Sequence, residues 1–141
     1  MYLFTFVLTV YTPIMPQYFT LQQANEALKT IRPLMDEVQA IRQKILSNQP
    51  EAWPAIEKSA GNGGNKALSA MVQDFERFDA LIHQILNTGV QIKDINIGLL
   101  DFPAIRNGRE VYLCWKHGED DIAFWHEVDA GFAGRQSIDN F

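Results

Sequence analysis

The chain has one cysteine in 141 residues. An internal disulfide is therefore excluded, and a reducing cytoplasm is the expected setting. Positive charge is also short: 12 Lys and Arg stand against 17 Asp and Glu, a formal net charge of −5, with no basic stripe anywhere. Nucleic acid is not an expected partner, because affinity for phosphate comes from clustered Lys and Arg. No apolar run is long enough to span a bilayer as a helix. The nearest approach is the uncharged opening "MYLFTFVLTVYTPI", which lacks the basic n-region and small-residue cleavage site of a secretory signal. No membrane partner is expected. Residues 1–14 are read as an N-terminal extension, since "MPQYFTLQQAN" from Met15 looks like a start just before a helix cap. The alternative is an extra strand, because Val, Thr, Tyr and Phe favour strands.

What remains is enough for one domain with a real core, residues 15–141. Thr20 and Gln23 have the spacing of a capping box. Leu21, Ala24, Leu28, Ile31, Met35, Val38 and Ile45 then recur at steps of three and four, with one slot taken by Arg42. Pro33 removes a backbone donor inside this run and should kink the helix or mark a junction near Arg32. The connector "NQPEAWPAIEKSAGNGG" at 48–64 has room for a helical turn from Pro54 to Ser59, with Trp53 folded back onto the helices. A second helix should begin near Asn65, carry Leu68, Met71, Phe75, Phe78, Ile82 and Ile85 inward, and end at Gly89.

After Gly89 the hydrophobic period changes to two. "VQIKDI" is a candidate short strand, and "LLDFPAI" and "EVYLCWKH" flank the turn pair Asn107-Gly108. "IAFWHEV" supplies another strand, whereas the tail "DAGFAGRQSIDNF" holds too much glycine and polarity for more sheet. The expected fold class is α+β: a long antiparallel helix hairpin, about 20–88, then a small antiparallel β-meander packed against it, with the glycine-rich tail, about 90–141.

A two-residue turn sets Ile105 opposite Glu110, Ala104 opposite Val111, Phe102 opposite Leu113 and Asp101 opposite Cys114. Leu100, Phe102, Ala104, Val111, Leu113 and Trp115 then share one apolar face against the helices. A four-residue loop at Gly118–Asp121 would add Ile122, Phe124, His126 and Val128 to that face, with His126 opposite Leu113 and Trp125 beside Cys114. The other face would carry Asp101, Cys114 and Trp125 in a row, with Tyr112, Lys116, Glu110 and Glu127 around them.

Candidate site residues follow from this partition. Asp101 breaks the preferences of an apolar strand, and such breaks are often functional. Its expected partners are Arg135 and the indole N–H of Trp125. Structurally, the carboxylate would pin the tail through an ion pair with Arg135. Functionally, Asp101, Glu127 and Arg135 would hold a polar or anionic ligand against Trp125, with Cys114 and Tyr112 alongside. Cys114 is a poor nucleophile, because an opposing Asp101 raises the thiol pKa. No metal or cofactor is expected: His83, His117 and His126 make no zinc pattern with one cysteine. A Cys114–Asp101–His126 grouping is opposed by the inward orientation expected of His126. That histidine is expected to be structural, His117 exposed, and His83 without a partner.

The motifs "GLLDFP" at 98–103, "VYLCWKHGE" at 111–119 and "FWHEVDAGFAGRQ" at 124–136 are long and specific. With them the stretch Tyr18 to Ile138 resembles the bacterial domain-of-unknown-function family 2203. The resemblance implies a small cytoplasmic bacterial protein and supplies no catalytic role to carry over. Two functions are therefore expected from the residues. The first is an interaction or oligomerisation module, a homodimer covering an apolar patch of Tyr112, Cys114 and Trp125. The second is a small-molecule binding protein or enzyme with a site at Asp101, Trp125 and Arg135.

Overall fold

The computed structural model describes residues 17–48, 50–60 and 72–141. Helix α1 spans Leu21–Asn48, α2 Trp53–Ser59 and α3 Val72–Leu86. Five strands follow: β1 Gln91–Asp94, β2 Leu99–Arg106, β3 Arg109–Lys116, β4 Phe124–Glu127 and β5 Gln136–Ser137. They form one antiparallel sheet in the order of the chain. The fold class is α+β.

α1 starts where its capping box places it. Thr20 N–H donates to Gln23 Oε1 (3.0 Å) and Gln23 N–H to Thr20 Oγ1 (3.1 Å), which satisfies donors that the first turn leaves without partners. The helix continues through Pro33, so no junction forms at Arg32. Its buried stripe is Ala24, Leu28, Ile31, Met35, Val38, Ile41 and Ile45. Ile41 fills the slot that the spacing gave to Arg42. Arg42 instead lies 5.4 Å over the Trp53 ring and donates to Asn96 Oδ1.

Trp53 does fold back. It is buried, edge-on to Phe78 with ring centroids 5.6 Å apart, and its indole N–H donates to Asn96 Oδ1 at 2.9 Å. α3 turns Phe75, Phe78, Leu81, Ile82 and Ile85 inward and is tied to α1 through Arg77–Glu37 and Lys44–Asp74. The long hairpin expected here is established only as this contact, with α2 set into the connection. The start near Asn65, with Leu68 and Met71, lies outside the described residues, as do residues 1–14. Gly89, at φ +95°, closes the helical segment with its N–H on Leu86 O.

The β2–β3 hairpin has the expected register. Asn107 and Gly108 both have positive φ, 52° and 77°, as a two-residue primed turn requires. Asp101 pairs with Cys114, Phe102 with Leu113, Ala104 with Val111 and Ile105 with Glu110. Leu100, Phe102, Ala104, Val111, Leu113 and Trp115 all join the core cluster with α1 and α3. Phe19 meets Phe102 edge-on at 5.3 Å, and its N–H donates to Pro103 O.

β4 differs from expectation by one residue. Leu113 faces Trp125, Tyr112 faces His126 and Cys114 faces Phe124. Because side chains alternate, this slip exchanges the two faces of the whole strand. Its cause is the connection after β3, which runs from His117 to Ala123 instead of closing in four residues. Ile122 leaves the sheet direction to enter the core, with its N–H on Asn25 Oδ1 of α1 at 2.9 Å. Trp115 holds the same loop by donating to the carbonyls of Glu119 and Asp120. The tail also contributes β5, two residues of sheet where none was expected.

Candidate metal-binding site

Asp101, Cys114 and His126 sit on adjacent strands β2, β3 and β4, on the face turned away from α1 and α3. All three are buried, at 2%, 0% and 2% exposure. β2 and β3 put Asp101 and Cys114 side by side through the Asn-Gly turn, and the β4 slip brings His126 to them. The His126 Nε2–Asp101 Oδ1 distance is 2.9 Å. One donor atom from each of the three side chains lies within 4.8 Å of the others.

The other ring nitrogen fixes the chemistry. His126 Nδ1 is 2.7 Å from the carbonyl oxygen of Glu127. A carbonyl can only accept, so Nδ1 carries a proton. In the neutral ring Nε2 then presents a lone pair to Asp101, whose ionised carboxylate presents another. Two lone pairs at 2.9 Å require a positive charge between them, either a proton or a metal cation.

Cys114 is not set up as a free nucleophile. Burial first, and then the charge of Asp101, push its thiol up to about 12, with Arg135 opposing only in part. A catalytic thiol needs the reverse, a positive and accessible setting. A metal ion would change this, since coordination removes the thiol proton outright.

The remaining sequence candidates divide differently from expectation. Trp125 is not beside Cys114. It lies in the core opposite Leu113, with the Arg106 guanidinium 4.5 Å over its ring and Phe141 at 6.1 Å. Its indole N–H has no partner among the described residues and does not reach Asp101. Arg135 does not pair with Asp101 either. It bonds Glu119 Oε1 at 2.6 Å, lies 4.0 Å over Phe124 and 4.9 Å over Phe132, and donates to Cys114 O at 3.4 Å. Glu127 spends its carboxylate on Arg109 in a two-point ion pair, so only its backbone carbonyl serves the site. Tyr112 stays beside the site, its ring 5.5 Å from that of His126 and under the Lys93 ammonium at 4.7 Å.

Asp101, Trp125 and Arg135 therefore do not converge. Nor do Tyr112, Cys114 and Trp125 form an exposed patch, at 8%, 0% and 3% exposure. Of the other histidines, His83 holds the Asp79 carbonyl at 2.8 Å, contrary to expectation, and His117 pairs with Asp36 at 2.7 Å.

Sequence reasoning raised the grouping of Cys114, Asp101 and His126 and set it aside, because it placed His126 on the inward face. A signal for the other face existed. On the expected face His126 would have been a buried polar ring among apolar side chains, while Asp101 one face away had only a tail arginine and an indole N–H as expected donors. Buried polar groups are almost always paired, and one shift of β4 pairs both.

A family model matches residues 17–138, most of the chain, and describes uncharacterized conserved proteins, DUF2203. The chain belongs to this family. No curated protein and no solved structure matches it. The match to DUF2203 spans every strand and the whole Asp101–Cys114–His126 grouping. No helix among the described residues of this DUF2203 protein is long and apolar enough to cross a membrane.

Proposed function

We propose that the protein binds a metal ion, held by Asp101 Oδ1, Cys114 Sγ and His126 Nε2. One observation carries this proposal: an oxygen, a sulfur and an imidazole nitrogen from three neighbouring strands converge within 4.8 Å of one another in a buried place. Metal-ligating histidines characteristically donate their second ring N–H to a carbonyl or carboxylate, which fixes the tautomer and aims the lone pair. The Glu127 carbonyl does this for His126.

An ion would fit the grouping after a small opening. Around a tetrahedral centre with the usual zinc bond lengths, ligand atoms lie roughly 3.4–3.6 Å apart. The Nε2–Oδ1 contact would open by roughly half an ångström to admit it. The burial of all three side chains favours a tightly held ion over one that meets a bulky substrate.

The patch of Tyr112, Cys114 and Trp125 expected to cover a homodimer is buried within the chain itself. A polar-ligand site at Asp101, Trp125 and Arg135 would need Trp125 on their face, and it lies in the core instead. The metal site needs neither.

Elemental analysis of protein purified without chelator tests the proposal. The wild type, expressed with transition metals in the medium, should retain close to one equivalent per chain after desalting, and Asp101→Asn less than about a tenth of that. Equal metal in both proteins, or none in the wild type, would refute it.

A further inference from the structure

Resting on the metal-binding proposal, the geometry points to a definite class of ion: a divalent, thiophilic cation of the zinc class, bound through the Cys114 thiolate. Charge balance is the first ground. With metal bound, Asp101 and Cys114 each supply one negative charge and His126 none, its Nδ1 proton being held on the Glu127 carbonyl. A divalent ion makes this sum zero. A monovalent ion would leave a net negative charge in a place at most 2% exposed, and a trivalent ion a net positive one. Either would be costly at that depth.

Of the nearby charges, the one that touches a ligand residue is itself balanced. Arg135, which touches the Cys114 carbonyl, is matched by Glu119 at 2.6 Å. The Lys93 ammonium lies 4.7 Å over the Tyr112 ring, where the face of that ring holds it.

Donor chemistry is the second ground. Calcium takes six to eight oxygens, and magnesium an octahedron of oxygens with several waters. The three strands offer one oxygen donor, one imidazole and one sulfur. That mixture of soft and borderline donors suits zinc and its neighbours. The three donors come from the adjacent strands β2, β3 and β4, and a zinc-class ion held by them would take its fourth ligand from a small neutral molecule such as water. On binding, the metal–sulfur bond replaces the S–H bond, and the proton leaves to solvent.

Titration of chelator-stripped full-length protein with Co²⁺, Zn²⁺, Mg²⁺ and Ca²⁺ separates the possibilities. Co²⁺ should give an intense thiolate-to-cobalt charge-transfer band and the visible bands of a tetrahedral ion. One equivalent of Zn²⁺ should abolish both, and a hundredfold excess of Mg²⁺ or Ca²⁺ should leave them unchanged. Cys114→Ser should lose the charge-transfer band and at least a hundredfold in Zn²⁺ affinity. The wild-type band is decisive by itself if that variant does not fold. Binding of Co²⁺ without a thiolate band, or displacement by Mg²⁺ or Ca²⁺, would overturn the assignment of ion class while leaving a metal site. Failure of all four ions to bind would remove the metal site as well.

Discussion

Asp101→Ala is expected to cost about 3–5 kcal/mol of folding stability, whereas Asp101→Asn should cost less than about 1 kcal/mol. The difference follows from the His126 tautomer. With Nδ1 committed to the Glu127 carbonyl, Nε2 is an acceptor whenever the ring is neutral. Asparagine keeps the shape of aspartate and offers an N–H to that lone pair, so the buried pair stays satisfied without charge. Alanine leaves His126 buried without its side-chain partner and opens a cavity between β2 and β4. Urea unfolding of the three metal-free proteins reads both numbers. Equal losses for the two variants would mean that Nε2 is not an acceptor. Asp101→Asn is also the useful reagent of the two, because it separates metal binding from folding.

The second large effect is expected at Trp115. It is 1% exposed in the core, and its indole N–H donates to the carbonyls of Glu119 (3.2 Å) and Asp120 (2.9 Å). Trp115→Ala should cost about 3–5 kcal/mol through the cavity it leaves. It should also release the loop from His117 to Ala123. That loop carries Glu119, which accepts from both the Lys116 backbone N–H and Arg135, so the tail should loosen with it. Hydrogen exchange would show this as lost protection at Ile122, whose N–H is held by Asn25, and at Ile138, whose N–H is held by Ala123 O. Global destabilisation without selective loss at those two amides would mean that Trp115 contributes packing alone.

Much of the fold was legible because local rules act over short distances. The Thr20–Gln23 box, the three-four stripe of α1 and the Asn107-Gly108 turn each involve neighbours in the chain. The β2–β3 register followed from the turn alone. What was not legible depended on a loop whose length is set by tertiary contacts. Ile122 is drawn into the core beside α1 and Trp115 clasps two loop carbonyls, and neither contact is written into the local sequence. That single uncertainty decided the face of β4. With it went the partner of Asp101, the place of Trp125 and the membership of His126 in the site. Arg135 was misplaced for a related reason: its partner, Glu119, lies on the loop whose path was unknown.

The central claim is that Asp101, Cys114 and His126 act together as ligands of one ion. X-ray absorption at the zinc edge of the zinc-loaded protein tests it most directly. One sulfur at about 2.3 Å, with the remaining neighbours nitrogen or oxygen at about 2.0–2.1 Å and imidazole scattering beyond them, is the predicted first shell. A shell of nitrogen and oxygen alone, or one unchanged in Cys114→Ser, would contradict it.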